Sequence, residues 1–145
     1  MAEVGPVERM LIAALFETMK AHKGIGLAAP QVGINERIFV LDAGSGALAV
    51  INPKIIKSQG VDITEEGCLS IPKVLVNVER SKVILAEYSD ENNQRLQVQL
   101  SGLTAKAFQH ELDHLNGVLI VDYLPVKERQ QILKKLKKDS KTGKV

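Results

Sequence analysis

The sequence predicts an α+β domain with a mostly antiparallel sheet, on three observations. An apolar helical pattern ends near residue 22, a block of short Val-, Ile- and Leu-rich segments follows, and a second helical pattern begins only after Thr104. The length of 145 residues suits one domain. Hydrophobic residues at 45% and charged residues at 25% are the balance of a globular protein with its own core.

The first helix is expected over Pro6–His22. Pro6 suits a helix start, and Val7, Met10, Leu11, Ala14 and Leu15 recur at helical spacing before Gly24 stops the pattern. His22 falls at the polar end and reads as a surface histidine. Gly24 to Ile34 (GIGLAAPQVGI) holds three glycines and a proline, so a regular helix is excluded. A loop is expected there, either an ordinary tight turn or one that lets backbone approach a bound molecule closely.

Short strands are expected at Arg37–Leu41, Ala47–Ile51, Val74–Val78, Lys82–Glu87 and Leu96–Leu100. Turns separate them at Gly44-Ser45-Gly46 and Asp90-Glu91-Asn92-Asn93. Thr104 is placed to cap a helix over Ala105–Leu115, which Gly117 ends. A last helix is expected over Val126–Lys138, with Ile132, Leu133 and Leu136 as its apolar stripe. No repeat, linker or domain boundary stands out.

Composition excludes several classes. There is no Trp, and Phe16, Phe39, Phe108, Tyr88 and Tyr123 are the aromatic residues, so stacking platforms for single-stranded nucleic acid are not expected. Cys68 is the only cysteine, which precludes an internal disulfide and points to a reducing compartment. No segment reaches the ~20 apolar residues of a membrane span. The run Met10–Phe16 is flanked by Glu3, Glu8 and Glu17 and makes a poor signal peptide, so a cytoplasmic protein is expected. The net charge of +2 divides into +6 over residues 126–145 and −4 elsewhere. The tail alone is suited to a polyanion, although a solvated helix end is the plainer reading.

The chemistry concentrates in His110-Glu111-Leu112-Asp113-His114. Four residues turn a helix through about 400°, so both imidazoles leave nearly the same face and can share one metal ion. Glu111 lies one step round, within reach of a water on that ion. Phe108, Leu112 and Leu115 have core spacing and would anchor the helix. A third ligand is needed. The long metzincin pattern would put histidine where Ile120 stands, and a downstream glutamate exists only as Glu128 on the basic helix. Upstream, Cys68 lies in Glu65-Glu66-Gly67-Cys68-Leu69-Ser70. A thiolate with two imidazoles makes a good tetrahedral set for Zn²⁺ or Fe²⁺. A small buried hydrophobe is the competing reading of a lone cysteine; two carboxylates and a glycine beside it favour a turn lining a site.

Three segments, Gly24–Gly33 (GIGLAAPQVG), Glu66–Ser70 (EGCLS) and Gln109–His114 (QHELDH), resemble the three signature motifs of the peptide deformylase family, in order and at similar spacing. The resemblance extends to about Pro125. It implies an α+β fold of small antiparallel sheets packed around a central HExxH helix, with helices at both ends. It implies hydrolytic removal of the N-formyl group from the N-terminal formylmethionine of nascent polypeptides. The implied ligands of one divalent ion are Cys68, His110 and His114, with Fe²⁺ expected in the cell and Zn²⁺, Ni²⁺ or Co²⁺ as alternatives. Glu111 is the implied general base and acid, and the Gln31 amide and Leu69 backbone N–H the implied oxyanion donors. Gly24, Ile25, Gly26, Glu66 and Gly67 are the implied substrate contacts. Ile25, Ala107 and His110 are candidate walls of a pocket for the methionine side chain.

Two departures stand beside the resemblance: only Met1–Gly5 precede the first helix, where the family has a longer segment, and Tyr123 occupies a position often arginine. Residues 1–125 are thus expected to form the catalytic domain with a shortened N-terminus, and 126–145 a basic C-terminal helix and tail of the same domain. The expected partners are formylmethionyl peptides and, through the tail, the ribosome, with no membrane and no sequence-specific DNA; a monomer is the default. An HExxH endopeptidase, or a metal-stabilised binding module docking on ribosomal RNA, are the other readings.

Overall fold

Pro6 opens helix α1 (Pro6–Ala21), and the Gly5 N–H ahead of it donates to Glu8 Oε1 at 2.8 Å. The computed structural model describes residues 3–44, 46–68 and 71–118, with backbone alone for 68 and 71–74. The expected helix at Val126–Lys138, Tyr123 and Leu69 lie outside these residues. The buried face of α1 is Ile12, Leu15 and Met19, whereas Val7 and Met10 of the expected stripe are 72% and 73% exposed. Met10 to Phe16 is apolar on every side, so periodicity alone does not choose a face. Contact with the sheet chooses it.

Strands β1 (Gly26–Ala28), β2 (Ile38–Asp42), β3 (Ala47–Cys68), β4 (Ile71–Ser89) and β5 (Arg95–Ser101) follow, all paired antiparallel in the order β1-β2-β3-β4-β5. Among the described residues there is therefore one five-stranded sheet, not several small ones. The short strands expected at Val74–Val78 and Lys82–Glu87 are parts of a single β4, and Ala47–Ile51 is only the start of a 22-residue β3. The strand runs through Pro53 with register shifts between Ile51 and Lys54 and between Ile55 and Lys57, and past Gly60 without one. Asn52 takes a φ of 51° at the first of these.

Successive residues of β2 face opposite sides, and the core divides accordingly. Ile38 and Val40 pack with Ile12, Leu15 and Met19 of α1, while Phe39 and Leu41 pack with Ile84, Ala86 and Tyr88 of β4 and with the second helix. That helix, α2 (Gly102–Leu115), starts after Ser101, so Thr104 is not its cap. β5 ends at Ser101, and Gly102, with a φ of 61°, turns the chain directly into the helix. Phe108 anchors it, meeting Phe39 edge-on at 5.1 Å between ring centres. Leu112 and Leu115 pack on the same cluster, as their spacing predicts. Gln109 adds a polar clasp: its Oε1 accepts from Ser81 N–H at 2.8 Å and its Nε2 donates to Ser81 O at 2.9 Å. No described helix is long and apolar enough to cross a membrane.

Candidate metal centre and active site

Helix α2, fixed by Phe108 and Gln109, carries His110, Glu111 and His114. Glu111 is 2% exposed and His114 6%, so the helix presents these groups to the interior and not to water. One donor atom from each of the three lies within 4.8 Å of the others. The rings of His110 and His114 stand edge to face at 73°, with Nε2 atoms 3.3 Å apart. Two nitrogens each ~2.0–2.1 Å from a tetrahedral ion would be separated by roughly 3.3 Å. The pair therefore fits a single divalent metal ion.

The orientation of His110 has a visible cause. Its Nδ1 donates to Glu66 Oε1 at 2.7 Å. An ionised carboxylate only accepts, which puts the ring proton on Nδ1 and leaves Nε2 as the donor atom for a metal. Glu66 is in turn gripped by Arg80, whose Nη2 and Nε donate to Oε1 at 2.6 Å and Oε2 at 2.8 Å, while Thr64 donates to Oε2 at 2.5 Å. Burial pushes the Glu66 carboxyl upward, but the bonds from Arg80, His110 and Thr64 outweigh it and hold the pKa at about 2. Arg80 Nη1 donates to Asp113 Oδ2 at 2.7 Å. Burial works against the guanidinium charge too, yet the two carboxylates raise its pKa further.

The glycine segment supplies the other wall. Only its first part is strand: Gly26–Ala28 forms β1 at the sheet edge, and Ala29–Val32 closes into a 3-10 turn. Helix α2 packs on both. Gly26 lies directly against Glu111: a Cβ built on it would stand 2.9 Å from Glu111 Cγ and Oε2. Absence of a side chain here is what lets the carboxylate sit beside the β1 backbone. Gln31, in the 3-10 turn, accepts from Ala28 N–H through Oε1 at 2.8 Å, which fixes the amide by its accepting end. Ile25 is 43% exposed, and its carbonyl accepts from Asp42 N–H at 2.8 Å.

The structure thus brings together His110, His114, Glu111, Glu66 and Gly26, with Gln31 on the adjoining turn. Glu65 to Cys68 is the end of β3 and not the expected turn; Cys68 pairs with Ile71, two residues beyond the Glu66 that bonds His110. Gly67 is exposed on the same strand. Ala107, a candidate pocket wall, is 6% exposed within the core cluster. His22 is exposed, as expected. Arg80 and Asp113 escape a motif-based reading. Arg80 had a legible signal, because it continues the inward phase of Val76 and Val78 on β4 while Leu75, Asn77 and Glu79 face out. A cation at such a position needs buried partners.

A buried HExxH helix with paired imidazoles and an adjacent carboxylate, set against a glycine-rich edge strand, defines a metal-dependent hydrolase. The sequence profile of the polypeptide deformylase family matches residues 3–130. The peptide deformylase of Thermotoga maritima is 46% identical over 139 residues, covering 95% of this chain and 82% of its own. The crystal structure of peptide deformylase from Ehrlichia chaffeensis superposes with a TM-score of 0.91 at 34% identity, covering 100% of this chain and 89% of that one. The Synechococcus elongatus peptide deformylase, solved in complex with actinonin, gives a TM-score of 0.85 at 42% identity, covering 93% and 75%. The chain belongs to the polypeptide deformylase family.

Proposed function

We propose that this chain is a working peptide deformylase, which hydrolyses the N-formyl group from the N-terminal formylmethionine of nascent polypeptides and releases formate. The observation that carries the proposal is the contact of Glu111 with the glycine edge strand, beside two imidazoles spaced for one ion. His110, His114 and Cys68 would hold that ion; two imidazoles and a thiolate accept Fe²⁺, the form expected in the cell, as well as Zn²⁺, Ni²⁺ or Co²⁺. When bound, the ion supplies Lewis acidity, which brings the pKa of a water toward ~7.

The remaining chemistry belongs to the chain. Glu111 accepts the proton of the attacking water at its carboxylate and returns it to the departing amine. The amide NH₂ of Gln31 and the backbone N–H of Leu69 donate to the formyl oxygen as it gains charge. β1 lies at the sheet edge, so the substrate backbone can add beside Gly24, Ile25 and Gly26 as an extra strand. Gly67, with no side chain, is a further position where the substrate backbone could approach closely. Glu66, which the sequence pattern offers as a substrate contact, is better assigned to holding His110. The basic residues of 126–145 suit docking on ribosomal RNA in the cytoplasm.

Glu111→Gln tests the reading. It keeps the shape of the side chain and removes its basicity, so the variant should retain stoichiometric metal and lose formate release. A variant that keeps both would overturn the assignment of Glu111.

A further inference from the structure

Arg80 is 4% exposed and has no part in the reaction just described. It nevertheless touches three elements: it is carried by β4, grips Glu66 of β3 through two bonds and reaches Asp113 of α2 through a third. Each carboxylate adjoins the metal set. Glu66 accepts from His110 Nδ1 at 2.7 Å and lies two residues before Cys68, and Asp113 immediately precedes His114.

We infer that Arg80 is the positioning residue of the metal centre, orienting His110 through Glu66 and fixing the end of α2 through Asp113. The inference rests on the reading that His110 and His114 hold the ion. Stability alone is a poor explanation for the triad, since buried ion pairs are commonly no better than apolar packing of equal volume. Position 80 continues an inward row begun by Val76 and Val78, where an apolar residue would be the simpler occupant. What the guanidinium adds is direction. Its planar fork holds both oxygens of Glu66 at once, at 2.6 and 2.8 Å, so Oε1 is left aimed at the imidazole. An ammonium is a point charge and cannot impose that orientation. Gln109 and Arg80 thus clamp neighbouring residues of β4 to α2, one by backbone and one by charge.

The test is Zn²⁺ affinity, measured by chelator competition on the full chain and independent of formate release. Arg80→Lys should weaken Zn²⁺ binding about 10- to 100-fold, the usual cost of losing an outer partner of a metal-bound histidine. Glu66→Gln should do the same. Because both act on one ring, the double variant should lose no more than the worse single one; multiplicative losses would overturn the inference. The ¹⁵N signals of His110 should report a protonated Nδ1 in the wild type and a tautomer mixture in Arg80→Lys. Lys106→Ala, which breaks the outlying pair of Lys106 with Asp62, should leave the Zn²⁺ constant unchanged. A folded Arg80→Lys with wild-type Zn²⁺ affinity and unaltered His110 signals would refute the role. If Arg80→Lys does not fold, Asp113→Asn keeps the Arg80–Glu66 fork and should weaken Zn²⁺ by a few fold; unchanged binding there counts against the proposal. A wild type that binds Zn²⁺ tightly but releases no formate would sink the deformylase reading and leave this one standing.

Discussion

Gly26→Ala probes the contact on which the proposed chemistry turns. The added Cβ would lie 2.9 Å from Glu111 Cγ and Oε2 and 3.0 Å from Cδ. Ordinary carbon contacts begin near 3.5 Å, so the carboxylate has to retreat by about 0.6 Å. Glu111 is 2% exposed, so the movement has to be made against packed neighbours. The backbone itself is no obstacle, because Gly26 is not among the residues with positive φ. Overpacking of this kind costs about 1–3 kcal/mol, which lowers Tm by several degrees without unfolding the protein. A misplacement approaching 1 Å costs ~10² in rate, so kcat should fall between about 10- and 100-fold. KM should change less, since a peptide adding beside β1 pairs with backbone. Formate release followed by a coupled dehydrogenase assay reads both constants. Glu111→Asp draws the carboxylate back by one methylene, and in that background Gly26→Ala should cost little more. A Gly26→Ala protein with wild-type kcat, or one whose loss only tracks its unfolded fraction, would refute the reasoning.

Other outcomes follow from the same geometry. Gln31→Ala removes an oxyanion donor and should lower kcat ~10²–10³-fold with metal content unchanged, checked by the same assay and by elemental analysis. Phe108→Ala opens the core beneath α2 and should cost about 3–5 kcal/mol in denaturant unfolding, with weaker metal retention as the helix loses its anchor. At the far end of the sheet, bonds from Lys54, Gln97 and Arg95 hold the Glu87 carboxyl below its usual range. A lowered folded pKa contributes stability above the unfolded value, lost as pH falls through the folded one. The Tm difference between wild type and Glu87→Gln should therefore be small at neutral pH and shrink below about pH 4, where thermal scans can follow it.

The sequence displays the site better than it displays the sheet. His110, Glu111 and His114 are legible because one helical turn brings residues four apart together, a local rule that needs no knowledge of the fold. Glu66, Arg80 and Asp113 stand 14 and 33 residues apart along their two ion pairs, and only the pairing of β3 with β4 and the packing of α2 bring them into contact. The two long strands are hidden for a different reason. Asn52-Pro53 and Gly60 carry turn chemistry, and only the adjoining strand shows that the first is an irregularity inside β3 and that pairing runs in register past the second. β5 alternates cleanly and was legible almost to the residue. The face of α1 was not, because Met10 to Phe16 offers apolar groups in every direction.

Mass analysis of the products from a formyl-Met-Ala peptide, incubated with Fe²⁺-, Ni²⁺- or Co²⁺-loaded protein beside its unformylated counterpart, tests the central claim most directly. The account predicts that the formylated peptide loses the mass difference between a formyl group and hydrogen, with equimolar formate and no change in the unformylated one. Cleavage of an internal peptide bond in either, with the formyl group left in place, would contradict it and favour an HExxH endopeptidase.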